Sequence, residues 1–199
     1  MPKLITEHKR EETKKAIIKN TRILIQTQKG IKNITVDDII KSVGMGKSSF
    51  YSYFNSKEEC IYEVIVKSQI ELLNKFETIM LTNQPRKEKI ISFLLDVYLA
   101  EDSISNFISS NDMEFLLRKL PPEYSARAEE ISDSIMTNTM KLLNIGALQT
   151  ETITVLLDCI DRVVTYIGIS KQAREEALNT LILSITEYVD KNSETQTNQ

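Results

Sequence analysis

Six residues between Lys47 and Lys57 carry the clearest chemical signal in the chain: Lys47, Ser48, Ser49, Tyr51, Ser52 and Tyr53, with Lys57 just beyond. Short hydroxyl groups, phenols and lysines grouped this way can hydrogen-bond base edges and neutralise phosphates. Phe50 and Phe54, four apart, fall on the opposite side of one helical turn and supply an anchor that turns the polar side outward. The preceding residues Val36, Ile39, Ile40 and Val43 repeat at helical spacing, and Gly44-Met45-Gly46 then breaks direction. Two short helices joined by such a turn predict a helix-turn-helix whose second member, ending near Tyr53 or Phe54, enters the major groove of DNA.

Local start signals set the boundaries. Thr35 precedes the first apolar residue with Asp38 three positions on, placing a hydroxyl and a carboxylate at a helix start, where Thr35 is also a candidate phosphate contact. Ser56 with Glu59 reads as a capping box opening the next helix, and Lys57 in its first turn suits a phosphate. Upstream, Ile17, Thr21, Leu24, Ile25 and Gln28 predict a helix closed by Gly30.

Residues 11–65 resemble the DNA-binding domain of the TetR (tetracycline-repressor-like) family of transcriptional regulators. The resemblance rests on Gly30, Thr35, Val43-Gly44, the run Gly46-Lys47-Ser48-Ser49-Phe50-Tyr51-Ser52-Tyr53-Phe54, and Ser56-Lys57-Glu58, all in one register. Three features depart from the family pattern. Gly46 replaces a capping serine, Ile40 and Val43 replace small residues, and Ser52 stands where an aromatic is common.

The whole chain fits this picture. Its 199 residues are 41% apolar and 27% charged, with a net charge of −3, as in an ordinary globular protein. The charge is segregated: residues 1–60 hold 12 basic and 7 acidic side chains, and residues 61–199 hold 13 and 21. The basic end coincides with the helix-turn-helix, as an electrostatic footprint for DNA requires. No apolar run approaches the roughly 20 residues of a membrane span, so no membrane partner and a cytoplasmic location are expected. Cys60 and Cys159 lie in apolar helical patterns and read as buried thiols, and the lone His8 sits in a polar N-terminal stretch. No Cys/His cluster, phosphate loop or nucleophile motif is present, so neither a metal, a cofactor nor catalysis is expected. Residues 1–10 and 192–199, polar and without periodicity, read as mobile ends, with Lys9 and Arg10 in reach of a minor groove.

Beyond the helix-turn-helix the pattern is helical throughout and the expected fold is all-α. An N-terminal DNA-binding domain over 1–56 is followed by a helical ligand-binding and dimerisation domain over 57–199. A lever helix is expected over 57–80, others over 86–101, 123–143, 150–167 and 171–190, and a short one over 103–110.

The resemblance implies an inducer site within 57–167, for which the candidates are Phe76, Phe93, Val97, Tyr98 and Phe107, then Met113, Leu117, Met136, Met140 and Tyr166. A core would use the same residue types at the same spacing. The expected inducer is a small, largely apolar molecule, although Asp96, Glu101, Asp158 and Asp161 leave room for a cation. The last two helices carry wide apolar faces, including Leu156, Ile160 and Val164 on one and Leu178, Leu181, Ile182 and Ile185 on the other. The family resemblance implies that they pair with their copies in a homodimer that binds a palindromic operator as a repressor. A regulator without an inducer, or an activator, is the alternative.

Overall fold

The computed structural model describes residues 7–101, 103–166 and 168–193. Among these the elements are α1 (Glu7–Thr27), α2 (Val36–Val43), α3 (Lys47–Phe50), α4 (Lys57–Met80), α5 (Arg86–Leu99), a 3-10 turn (Ile104–Asn106), α6 (Ser110–Leu117), α7 (Pro122–Leu142), α8 (Ala147–Thr165) and α9 (Lys171–Ser193). The described chain is all-α, as its periodicity predicts.

The helix starts follow from local hydrogen bonding. At α2 the Asp38 N–H donates to Thr35 Oγ1 at 3.1 Å and the Thr35 N–H donates back to Asp38 Oδ2 at 2.9 Å, a reciprocal box. The bonds from the Thr35 hydroxyl and backbone hold the Asp38 carboxyl below its ordinary pKa. Gly44, at φ 71°, ends α2 in the left-handed region where a side chain would be strained. At α4 the Ser56 hydroxyl accepts from the Glu59 N–H at 3.1 Å, but the Glu59 carboxylate reaches one residue past the expected partner, to the Asn55 N–H at 2.7 Å.

Helix ends are closed from a distance by cations. The Lys89 ammonium donates to the Met80 carbonyl at the end of α4 at 2.9 Å, Arg86 to Leu143 after α7, and Arg174 to Tyr166 after α8 at 2.9 Å. Each places positive charge where a helix presents unpaired carbonyls and its negative pole.

Three local expectations change. Glu7–Arg10 is the first turn of α1 instead of a loose tail, while residues 1–6 and 194–199 lie outside the described residues. The regular part of α3 is four residues long, and the winding continues through mixed bonds, Tyr53 N–H to Phe50 and Phe54 N–H to Phe50. The segment expected as one helix over 103–110 is a 3-10 turn, and a separate helix, α6, begins at Ser110 behind its own Ser109–Asp112 box.

Two apolar cores result. The first gathers Ile17, Ile25, Ile39, Phe50, Phe54 and Ile61 with Ile104 and Leu116. The second gathers Phe76, Leu94, Met140, Ile160, Leu178 and Ile182 among others. Helices α4 and α7 run through both: on α7, Tyr124, Ala128 and Ile131 pack on the first and Met136 and Met140 on the second. Polar ties fasten α7 and α6 to the N-terminal end. The Tyr62 hydroxyl donates to the Tyr124 carbonyl at 3.3 Å, Arg127 pairs with Glu63 at 2.8 Å, and Lys32 pairs with Asp112 at 3.0 Å.

Candidate nucleic-acid interface

The reader segment is a thin polar face on a buried aromatic base. Phe50 and Phe54 are sealed from solvent, their ring centroids 5.7 Å apart, and Tyr51 meets Phe50 edge-on at 5.5 Å. That contact steers the Tyr51 phenol outward, leaving the residue 48% exposed. Lys47, Ser48, Ser49 and Ser52 are exposed beside it. The Ser52 hydroxyl donates to the Ser49 carbonyl at 2.6 Å, so it helps to close the turn. Lys47 Nζ lies 3.3 Å from Asp37 on α2, an exposed pair of the kind that phosphates displace at little cost.

Tyr53 and Lys57 are half-buried at the end of the reader segment and the start of α4, and Lys57 Nζ lies 3.5 Å from Glu58. The Thr35 hydroxyl is engaged in its cap, donating to Asp38 at 2.6 Å while accepting from the Asp38 N–H, so it has little capacity left for phosphate. Sequence reasoning underused α1. Arg10 donates to the Ser52 carbonyl at 3.1 Å and its guanidinium carbon sits 5.7 Å from the Tyr53 ring centre, while Lys14 lies over Phe54. Extending the Ile17 periodicity back by two turns puts both cations on the side of α1 that faces the reader segment.

In the body, α4, α5 and α7 with parts of α8 and α9 line a half-open apolar cavity of about 240 Å³. Six candidates line it: Phe76, Phe93, Val97, Tyr98, Met136 and Met140. Phe76 and Phe93 stand with ring centres 4.8 Å apart. Phe107, Met113 and Leu117 do not join them; they pack on the first core, against the helix-turn-helix end. Tyr166 is 59% exposed after α8. Helical spacing marks an inward face without saying which of two cores it meets.

No carboxylate, amine or guanidinium lines the cavity among the described residues, and Tyr98 is its titratable group. Burial, with Asp161 and Asp158 nearby, pushes the Tyr98 pKa up and keeps the phenol neutral. Asp96 instead pairs with Lys75 in a polar cleft next to Arg22 and Glu71. The Asp161 carboxyl is raised by burial and then by Asp158. The fold therefore binds its proton more tightly than the unfolded chain does, and stability falls as pH rises through the folded pKa. Asp161→Asn is expected to raise the melting temperature at neutral pH, with the gain vanishing as pH falls toward the ordinary carboxylate range; melts across pH check it.

On the α8–α9 hairpin, Ile160, Leu178, Ile182 and Ile185 are buried in the chain's own second core, and Leu156, Val164 and Leu181 are half-buried against it. Leu148 and Val155, seven apart on α8, and Leu183 on α9 stand in the open, exposed by 73%, 61% and 49%. Cys60 is buried beside the Thr21 hydroxyl, its thiol pKa pushed up to about 12 by burial, and Cys159 is half-buried.

The geometry agrees with known proteins at two levels. The family model for bacterial regulatory proteins of the tetR family matches residues 17–64. The biofilm operon icaADBC HTH-type negative transcriptional regulator IcaR of Staphylococcus aureus strain Newman is 40% identical over 81 residues, 41% of this chain and 41% of that protein. The same regulator from strain COL matches equally. The chain thus aligns with about two fifths of the length of these relatives.

In three dimensions, a Mesorhizobium loti protein described as a TetR-family regulator superimposes with a TM-score of 0.64 at 14% identity, over 90% of this chain and 96% of that one. One from Vibrio parahaemolyticus gives 0.53 at 15% identity, over 85% and 96%. These likenesses concern the fold. Among the described residues no helix is long and apolar enough to cross a membrane. Residues 17–64 thus match the model of the bacterial tetR-family regulatory proteins, and most of the chain shares its fold with two structures described as TetR-family regulators.

Proposed function

We propose that this protein is a homodimeric repressor that binds a palindromic operator and is released from it by a small, largely apolar molecule held in the α4–α5–α7 cavity. The observation that carries the DNA reading is the reader segment itself, with Lys47, Ser48 and Tyr51 displayed on the locked Phe50–Phe54 base. That the similar protein IcaR is a negative transcriptional regulator supports repression. Leu148, Val155 and Leu183, large apolar side chains left in water, support a second copy on the hairpin. Two reader segments related by a twofold axis would meet successive major grooves about 34–36 Å apart.

The test is a titration of the protein against duplex from upstream of its own gene, with random duplex beside it. Lys47→Ala and Tyr51→Ala are expected to weaken specific binding by about 1–3 kcal/mol each, and wild-type affinity should fall steeply with salt. Equal affinity for both duplexes would overturn the reading.

The release step rests on helices shared by cavity and DNA-binding end. A ligand among Phe76, Val97 and Met140 touches α4 and α7, which also pack on the reader's core. For release it must favour the DNA-incompetent arrangement by roughly 1–3 kcal/mol. Val97→Phe, filling the cavity, is expected to abolish ligand-induced release with operator affinity intact. Release that persists in this variant would place the ligand elsewhere.

A further inference from the structure

We infer that the cavity takes an uncharged amphiphile, an alkyl or single-ring tail bearing a neutral hydrogen-bonding head, with the tail among α4, α5 and α7 and the head at Gln69 and Ser132. The chemistry follows from the cavity, and its regulatory meaning rests on the inducer reading above.

Size comes first. At about 240 Å³ the half-open space exceeds the ~150 Å³ apolar cavity that accepts benzene, yet lies below the ~300–1,000 Å³ of sites for drug-sized ligands. One ring with a short chain, or one folded alkyl chain, fills it. Anything larger must protrude.

The exit is defined by two side chains. Gln69 on α4 and Ser132 on α7 line both this cavity and a surface groove of about 510 Å³ that continues past Met113 and Leu117 of α6. A molecule with its tail inside therefore emerges between an amide and a hydroxyl. Both groups have capacity to spare. Other helical hydroxyls here, those of Ser68, Thr78 and Ser184, donate to carbonyls four residues back. No hydrogen bond within the protein engages the Gln69 or Ser132 side chain among the described residues, so an amide and a hydroxyl at the mouth are left to a ligand or to water.

Charge decides the rest. With no ionic side chain in the cavity, an ionised head drawn into it would be unpaired and heavily penalised. In the groove outside, the Arg118 guanidinium pairs with Glu114 and Glu129 adds a further carboxylate, so the lining carries net negative charge that disfavours an anionic head. A neutral head loses nothing at Gln69 and Ser132 and gains their hydrogen bonds.

The experiment uses the full-length protein and four probes: n-octanol, octanoate, octyltrimethylammonium and headless butylbenzene. Binding is read by calorimetry and release by DNA titration. Octanol is expected to bind at least tenfold more tightly than either ion. Gln69→Leu and Ser132→Ala, at half-buried and exposed positions, should each weaken octanol roughly three- to tenfold, the effect of one lost hydrogen bond, and leave butylbenzene unchanged.

Octanoate or the ammonium compound binding as well as octanol would overturn the inference, as would octanol affinity that ignores both substitutions; DNA release by butylbenzene would then still uphold the inducer reading. Conversely, the expected selectivity without any effect on operator affinity would establish the ligand chemistry and overturn the inducer reading. If no probe binds, the inference falls, and release by a larger compound would uphold the inducer reading alone.

Discussion

Phe50→Ala is expected to abolish sequence-specific DNA binding although it removes no group that faces DNA. Phe50 is fully buried, packed against the tilted ring of Phe54 and touched edge-on by Tyr51, and the four-residue α3 has little else to hold it. A helix of that length has no stability of its own in water, so its position is set by packing. Truncating the ring should cost about 3–5 kcal/mol, a large part of the roughly 5–15 kcal/mol that separates a typical domain from its unfolded state. Circular dichroism melts together with operator titration check this. Phe50→Leu, which keeps most of the apolar volume, should recover much of both. Wild-type affinity in the alanine variant would show that the reader segment is held by something other than its aromatic base.

The second large effect is expected at the outward side of the hairpin. Val155→Glu with Leu183→Glu should convert the proposed dimer to a folded monomer and so weaken binding to a palindromic operator by orders of magnitude, because each half-site would then be gripped alone. Both residues are open to solvent in the single chain, so the charges cost the fold little, whereas in a dimer they would be buried without partners. Leu181→Glu makes a less discriminating test, since Leu181 is half-buried against the chain's own core and the charge would also damage the fold. Sedimentation of the double variant decides the matter, and an intact dimer would move the interface elsewhere.

Short-range chemistry was easier to read from the sequence than long-range contact. Both ends of α2 and the start of α4 follow from Thr35, Asp38, Gly44 and Ser56, whose side chains or backbone act within four residues. The division of Phe50 and Phe54 from Lys47 and Tyr51 is likewise a property of one helical turn. What periodicity does not carry is the identity of the surface that an apolar stripe meets. Met113 and Leu117 have the spacing of an inward face, and so does Met136, yet the first two join the DNA-binding core and the third lines the cavity. Ile160 and Ile182 repeat as an interface residue would, but their faces are spent on the chain's own interior. One missed element was within reach: Ser109 and Asp112 are a capping signal of the same kind as Thr35 and Asp38, and they open α6.

The sharing of the first core has a consequence for how such proteins can be recombined. Residues that enclose Ile17, Phe50 and Phe54 come from 17–66 and again from 104–131, so the unit that holds the reader segment is interrupted by the whole of α5. A chimera that joins residues 1–56 to a foreign body would lose Ile61, Val64, Ile104 and Leu116 together and expose the surfaces they cover. Transplanting the DNA specificity of this chain therefore calls for moving two separate stretches at once, or for replacing only the few outward side chains of the reader segment and leaving the scaffold in place.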